Sequence, residues 1–425
     1  MKAEEVLRLC GDVSALENVS LHWDESMAAY PGGSEIVFLR DDEIVSNSRA
    51  CGFDDEVTSR LLSVASKIRS SEYMSRLAWH CYWRIFLSEA PCPPSDWPEP
   101  AELGEERGIL YLLVGIGYVP LVRENHRQLG LPLEVALETI AQVKRFCDCN
   151  YSRAYKGRLG VFQSQLGWMR YYTKVPYIRL GRLEYWLQPL GSELFVYRER
   201  ETGKTIAFLP DGLTCLANGL RLAKPEEYEG LETRLTKYRD DGEKVIGTPV
   251  NPRGFVDPRE VVLPRAKWDL VFKKGDMSLG MHIPSGGKMT FEECQKSLER
   301  AKEFFKEYFP DKQPVSVVCN SWIFNPELQE IFGPEANLNR FQRGLYLVPN
   351  ASRHGDGLWF IFLKQGPFDL DTAPAETSLQ RGILDFLKKG RRWRSGQMFI
   401  LMDDIDRFCD GTYLEQFDEV MEQMK

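Results

Sequence analysis

The chain has 425 residues, of which 43% are hydrophobic and 27% charged, with a formal net charge of −8. That length accommodates two or three domains with substantial cores, and the balance is that of a folded chain rather than a disordered one. The negative charge excludes a general nucleic-acid binder, which needs a basic face to neutralise phosphates.

Residues 1–150 read mainly as helices. Gly33–Leu39 is the one strand candidate there. Glu56–Ser70 places Val57, Leu61, Leu62, Val64, Ala65 and Ile68 close to helical spacing. Ser71–Ala90 is dense in aromatic residues (Tyr73, Trp79, Tyr82, Trp83, Phe86), as a buried helix would be. Five prolines make Pro91–Pro100 a loop. Glu106–Val119, Pro132–Phe146 and Gly157–Tyr172 complete the helical part. After Lys174 the period changes. Tyr177–Gln188 alternates apolar and polar residues, as a half-buried strand does, and Glu193–Arg198 with Thr205–Leu209 reads as a hairpin. The boundary between the two parts is therefore set near Lys174, giving domains 1–174 and 175–425.

Pro225–Tyr238 is a charged helix candidate, and four prolines make Gly247–Pro264 an extended connection. The most regular pattern follows Trp268. Leu279–Ile283 is a strand, Pro284–Lys288 a glycine turn, and Thr290–Phe309 a long helix opened by a capping box and stopped by Pro310. Val315–Cys319 is a strand, and Asn325-Pro326 and Asn337–Arg343 mark short helices. Leu345–Val348 and Leu358–Leu363 read as strands, Thr377–Leu387 as a helix, and Gln397–Met402 as a last strand.

Other features bound the chemistry. The ten cysteines are scattered; the one close pair, Cys147 and Cys149, lacks a zinc spacing, so no metal site is expected. Scattered cysteines fit a reduced, cytoplasmic protein, and Met1–Glu5 lacks the start of a secretory leader. The longest apolar run, Ile109–Ile116, is too short to span a bilayer. The basic run Lys388–Arg394 reads first as a solvated helix end and turn, second as a phosphate site. No nucleophile elbow, phosphate-binding P-loop or zinc-protease helix is present.

The order strand, glycine turn, long helix, strand, short helices, strand, strand resembles the cofactor-binding half of the GNAT superfamily. In detail the chain resembles a bacterial group of acyltransferases with a helical N-terminal domain and a GNAT-like C-terminal domain. The residues that carry this are Ile178–Glu184, Met281–Gly287, Phe304–Pro310, Cys319–Trp322 and Asn337–Phe341. The resemblance implies an α+β chain: a helical N-terminal domain, then a mixed sheet flanked by helices. It implies acyl transfer from acetyl-CoA or another acyl-CoA to the amine of a small acceptor by direct attack, with the N-terminal helices shaping the acceptor side. A GNAT fold without catalysis is the alternative, and a carrier-protein thioester a third reading. Neither nucleic acid nor membrane is an expected partner. The oligomeric state is not legible.

The turn would hold the CoA pyrophosphate through Ile283, Pro284, Ser285, Gly286, Gly287, Lys288 and Thr290. Backbone N–H groups and the helix dipole favour an anion there, and glycines let the backbone approach. The turn lacks the Arg or Gln usual in the family. Asn337 and Asn339 would bond the pantetheine arm or cap their helix. His282 is the candidate general base, because imidazole titrates near neutrality; packing is its alternative. Glu184 is a second candidate base, with an ion pair to Arg179 or Arg182 as the alternative. Arg182, Cys319, Ser321 and Trp322 are placed in the substrate cleft, Cys319 also as a possible acyl carrier. The family's leaving-group tyrosine falls where this chain has Phe341.

Overall fold

The computed structural model describes residues 1–90, 97–364, 368–409 and 411–423, so most of the expected proline loop lies outside the described residues. The chain divides into two compact units. One is Met1–Leu180 with Ile283–Gly286; the other is Gly181–His282 with Gly287–Lys425.

The first unit is helical up to Lys174. Helix Asp55–Ser70 shows why. Asp54 accepts from the Val57 amide at 2.8 Å, acidic residues fill its first turn, Lys67 and Arg69 its last, and Leu61, Val64, Ala65 and Ile68 are buried. Ile109–Ile116 is buried at every position, the central rod of the unit. The expected strand Gly33–Leu39 is instead two 3-10 turns, Gly33–Glu35 and Val37–Leu39. Their buried side chains, Ile36, Phe38 and Leu39, pack in an all-helical neighbourhood that offers no strand to pair with. The expected helix Glu106–Val119 is divided, because Pro120 opens a new helix at Val119–Gln128. The helix expected from Gly157 begins only at Gln163: Gly157, at φ 91°, closes the preceding turn by donating to Ser152 O.

The second unit holds a mixed sheet. Five of its strands run in the order Leu183–Pro189, Met277–His282, Ser316–Ser321, Gly396–Leu401, Tyr346–Pro349. Neighbours are antiparallel except Met277–His282 and Ser316–Ser321, which are parallel and joined by helix Phe291–Tyr308. A parallel pair needs such a crossover. The helix buries Phe291, Cys294, Leu298, Ala301, Phe304 and Phe305 on one face, and Thr290 caps it by accepting from the Glu293 amide at 3.3 Å.

Residues 190–276 intervene between two adjacent strands of this sheet. They build a second, five-stranded sheet that contains the expected hairpin, Phe195–Glu199 with Thr205–Phe208. Tyr197, Ile206, Phe208 and Trp268 form its core with Phe417, Val420 and Met421 of a C-terminal helix, Thr412–Gln423. The expected helix Pro225–Tyr238 shrinks to a turn at Pro225–Tyr228. Gly230, at φ 73°, ends it, and Thr233–Leu235 pairs with Thr214–Leu216. Leu358–Leu363 is helical rather than extended. Leu358, Ile361 and Phe362, at i, i+3 and i+4, bury themselves in one cluster with Ile383, Leu384 and Leu387 of helix Ser378–Lys388. A short apolar run does not reveal its period, and here the helical one won. The α+β class expected from the sequence holds. Among the described residues, no helix is long and apolar enough to cross a membrane.

Candidate active site

The strand expected over Tyr177–Gln188 is in fact two, Ile178–Leu180 and Leu183–Pro189, broken at Gly181, whose φ is 76°. The break puts Arg182 in a turn. Strand parity therefore no longer sets it on the face of Glu184; its Nε donates to Lys288 O at 3.3 Å. From Leu183 the register with Met277–His282 sets Glu184 opposite His282 and Trp186 opposite Gly280. Residues paired directly across an antiparallel ladder share a face, so the two candidate bases meet. His282 Nδ1 lies 2.7 Å from Glu184 Oε2. The Glu184 side chain is wholly buried, whereas that of His282 is 24% exposed. The carboxylate stands behind and the imidazole in front. A carboxylate accepts, so Nδ1 carries the proton and exchange with a substrate falls to Nε2.

The parallel pair beside this dyad parts. Its ladder joins Ser278, Leu279 and Gly280 to Ser316, Val317 and Val318 and goes no further. Met281 and His282 stay paired outward with Tyr185 and Glu184, and Cys319–Ser321 outward with Gly396–Met398. A wedge therefore opens between the strand ends, with His282 on one side and Cys319, Asn320 and Ser321 on the other.

The His282 strand runs on into the glycine turn. Gly286 and Gly287 have φ of 84° and 76°, a conformation that costs other residues steric strain. A Cβ on Gly286 would lie 2.7 Å from Cys149 Sγ, so that position is also closed by packing. The Ser285 hydroxyl is buried and bonds to no protein group among the described residues. Pro284 is buried, Ile283 half-buried, and Lys288 exposed. Thr290 is the helix cap. Asn337 is the first residue of helix Asn337–Arg343, whose cap position falls to Ala336. Asn339 is fully buried, and its amide clamps the carbonyls of Phe332 and Gly333 at 2.8 and 3.0 Å.

The remaining candidates have structural partners. The Cys319 thiol is buried, although the residue as a whole is partly accessible, and burial pushes it up to about 12. It is a poor nucleophile at neutral pH. Ser321 accepts from the Ile323 amide at 3.3 Å, and Trp322 packs 6.3 Å from Trp393. Phe341 is buried against Phe324 and Phe408. The nearby Tyr346 is fully buried and spends its hydroxyl on the Ala207 amide and the Val250 carbonyl. The start of the basic run is a solvated helix end and turn, with Lys388, Lys389 and Gly390 exposed, while its arginines pair with carboxylates. Arg391 and Arg394 both bond Glu327 at 2.7 Å, and Arg392 bonds Glu227 at 2.6 Å. Among the described residues, no group of side chains fit to hold a metal occurs. Trp186 was missed by the reading of the sequence, although Glu184, Trp186 and Gln188 alternate onto one face.

A mixed sheet whose parallel pair is bridged by a capped helix and parts at its leading ends is the GNAT arrangement. The comparisons agree: residues 177–400 match the GNAT-like C-terminal domain, and residues 42–174 match the N-acyltransferase N-terminal domain. The chain belongs to this family of acyltransferases. Among solved structures, an acyltransferase in complex with decanoyl-CoA and teicoplanin is 21% identical, with a TM-score of 0.62 over 95% of this chain and 100% of that one. An acyltransferase with CoA and 10C-teicoplanin is 20% identical, at 0.62 over 95% and 100%. An acyltransferase mutant with octanoyl-CoA is 21% identical, at 0.61 over 94% and 99%. At such identities the likeness is one of fold. No curated protein matches the chain.

Proposed function

We propose that the protein is an acyl-CoA-dependent N-acyltransferase, with a mainly helical domain at 1–174 and an acyl-CoA-binding domain at 175–425. The observation that carries this is the His282–Glu184 pair at the parting of the parallel strands. His282 takes a proton from the acceptor ammonium through Nε2. The free amine attacks the thioester carbon, a C–N bond forms, the C–S bond breaks, and CoA leaves as the thiolate. The attached nitrogen gives up its second proton as the C–S bond breaks; of the two protons, one passes by way of His282 to that sulfur and the other goes to solvent, leaving a neutral amide and the CoA thiol. Glu184 orients the ring and balances its positive charge. No tyrosine acid is needed, which suits a buried Phe341 at the family's tyrosine position.

The turn fits a phosphate-bearing cofactor. The orphaned Ser285 hydroxyl supplies a donor, and Gly286 and Gly287 leave their amides uncovered by any Cβ. Lys288 adds an exposed charge, and the capped helix follows at once. Asn337 and Arg182 are retained as contacts of the cofactor and the acceptor. Asn339, Ser321 and Trp322 shape the walls that hold those contacts. The acyl group is short, acetyl first, because the indole of Trp186 occupies the dyad's face two pairs away. The acceptor is a small amine. Free cysteines fit a reducing, cytoplasmic setting.

Calorimetric titration with CoA, acetyl-CoA and decanoyl-CoA tests the reading. Micromolar to sub-millimolar binding is expected, followed by thiol release over a panel of amines. Because fold relatives were captured with teicoplanin and 10C-teicoplanin, the panel includes teicoplanin. No binding of CoA at millimolar concentration would rule the reading out.

A further inference from the structure

The strand that supplies Glu184 presents three side chains on that face: Glu184, Trp186 and Gln188. Glu184 faces His282, and Trp186 faces Gly280 on the neighbouring strand. A Cβ built on Gly280 would lie 2.3 Å from Trp186 Cε2, 2.4 Å from Cζ2 and 2.7 Å from Nε1. The indole therefore lies flat against the Gly280 backbone, where a side chain would otherwise stand. Its Nε1 donates to Gln188 Oε1 at 3.0 Å, which fixes the ring's orientation. Packing below and a hydrogen bond at the edge hold the ring over this row.

The row it covers is the last row of the parallel ladder. Gly280 pairs with Val318, and beyond that pair the strands part. Val318 is 5% exposed and completes the row on the far side. The row Trp186–Gly280–Val318 is thus the floor of the wedge on the dyad's face, two cross-strand pairs below His282. A thioester held within reach of His282 would direct its acyl chain toward this floor. We propose, on the acyl-CoA reading of this site, that Trp186 is the acyl-length determinant: its indole stops the chain after two or a few carbons and makes the enzyme selective for short acyl-CoAs.

A smaller residue opens the floor. Each methylene newly buried is worth about 0.8 kcal/mol, or roughly fourfold in binding, so two or more give at least tenfold. The experiment needs no knowledge of the acceptor. CoA, acetyl-CoA, butyryl-CoA and octanoyl-CoA are titrated into wild type, Trp186→Phe and Trp186→Ala, each first checked for a cooperative melt. The wild type should bind octanoyl-CoA no better than CoA itself. Trp186→Ala should tighten octanoyl-CoA at least tenfold relative to acetyl-CoA, with Trp186→Phe between them. Trp186→Phe keeps a ring on Gly280 and serves where the alanine variant fails to fold. Wild-type preference for octanoyl-CoA by tenfold or more would overturn the proposal. So would an unchanged octanoyl-to-acetyl ratio in the folded variants. If CoA itself binds to none of the proteins, the acyl-CoA reading fails and the gauge falls with it. If CoA binds and only the ratio stays flat, the gauge alone fails.

Discussion

Glu184→Gln isolates the electrostatic part of the dyad. Glutamine has the same shape and can accept from the same ring nitrogen, so packing is kept and one charge is removed. The carboxylate is wholly buried and sits 2.7 Å from the imidazole. A hydrogen bond to a charged group is worth about 1.5–3 kcal/mol and a neutral one about 0.5–1.5. The difference, about 1–2 kcal/mol, is felt when the ring becomes cationic in the transition state. At 1.36 kcal/mol per tenfold, Glu184→Gln should lower kcat/KM by roughly 5- to 30-fold. Acyl-CoA affinity should not change, because the substituted carboxylate bonds the imidazole and not the cofactor. His282→Ala removes the base itself and should cost about 10²–10⁴. The informative protein is the double variant. If Glu184 acts only through His282, the double variant is no slower than His282→Ala, since a positioning residue has nothing left to position. Steady-state thiol release with saturating acyl-CoA and a competent amine measures all three. A multiplicative double variant would show that Glu184 is a base in its own right, and would refute the assignment of roles made above.

Three further outcomes are expected. Burial pushes the Cys319 thiol up to about 12, so at pH 7 it is almost wholly protonated; Cys319→Ala should keep kcat within twofold and the native protein should resist iodoacetamide there, whereas a tenfold loss would revive an acyl-cysteine route. Gly286→Ala meets both a left-handed φ of 84° and the Cys149 sulfur at 2.7 Å; the backbone term alone costs about 1–2 kcal/mol, so the melt should fall and CoA binding weaken, and adding Cys149→Ala should recover the crowding part only. Burial, with Arg84 nearby, holds His80 down at about 3, and burial holds His126 down at about 4. Both are neutral in the fold, while the unfolded chain protonates them below roughly 6.5. Stability is therefore unaffected above that value and falls below it, by about 1.36 kcal/mol per pH unit for each ring. Between pH 6.5 and 5 the pair should cost about 3 kcal/mol; chemical denaturation at the two pH values should show a flatter slope in His80→Gln/His126→Gln, and equal slopes would contradict burial as the cause.

The parts of the fold that could be read from the chain are those where local signals agree. Thr290, the apolar stripe from Phe291 to Phe305 and Pro310 all mark one helix, and the helix is there. Where a run is short, the tertiary setting decides. Leu358–Phe362 is apolar throughout and became a helix because Ser378–Lys388 offered it a surface; Gly33–Leu39 became turns because no strand lay beside it. Gly181, at φ 76°, breaks the strand expected over Tyr177–Gln188, and the alternation on either side of it conceals that break in the sequence. The site shows the same division. His282 and Glu184 were each identifiable by type and by position on a strand. Their meeting was not, because residues 190–276 separate two strands that are neighbours in the sheet. Cys319, Asn339 and Ser321 have the right chemistry, and only their hydrogen bonds and burial show how that chemistry is spent.

The dyad is thus a property of register rather than of either residue. A one-residue slip of Met277–His282 against Leu183–Pro189 would turn His282 to the opposite face from Glu184, since strand side chains alternate. Features of this ladder oppose such a slip. The Ser278 hydroxyl donates to Gln188 O at 2.9 Å, and the Trp186 indole fits only over a residue without a Cβ, which among the neighbouring positions is Gly280 alone. Slip in either direction would drive the indole into Leu279 or Met281. Gly280→Ala is therefore predicted to disturb the dyad without touching it: the methyl would stand 2.3 Å from the ring, and the indole or the strand must move. Overpacking of this kind costs about 1–3 kcal/mol. The expected signature is a lowered melt together with a fall in kcat that Trp186→Ala partly restores. Restoration by Trp186→Ala would place the fault in the register; a loss of kcat that the second substitution leaves untouched would place it elsewhere and remove Trp186 and Gly280 as the pair that aligns His282 with Glu184.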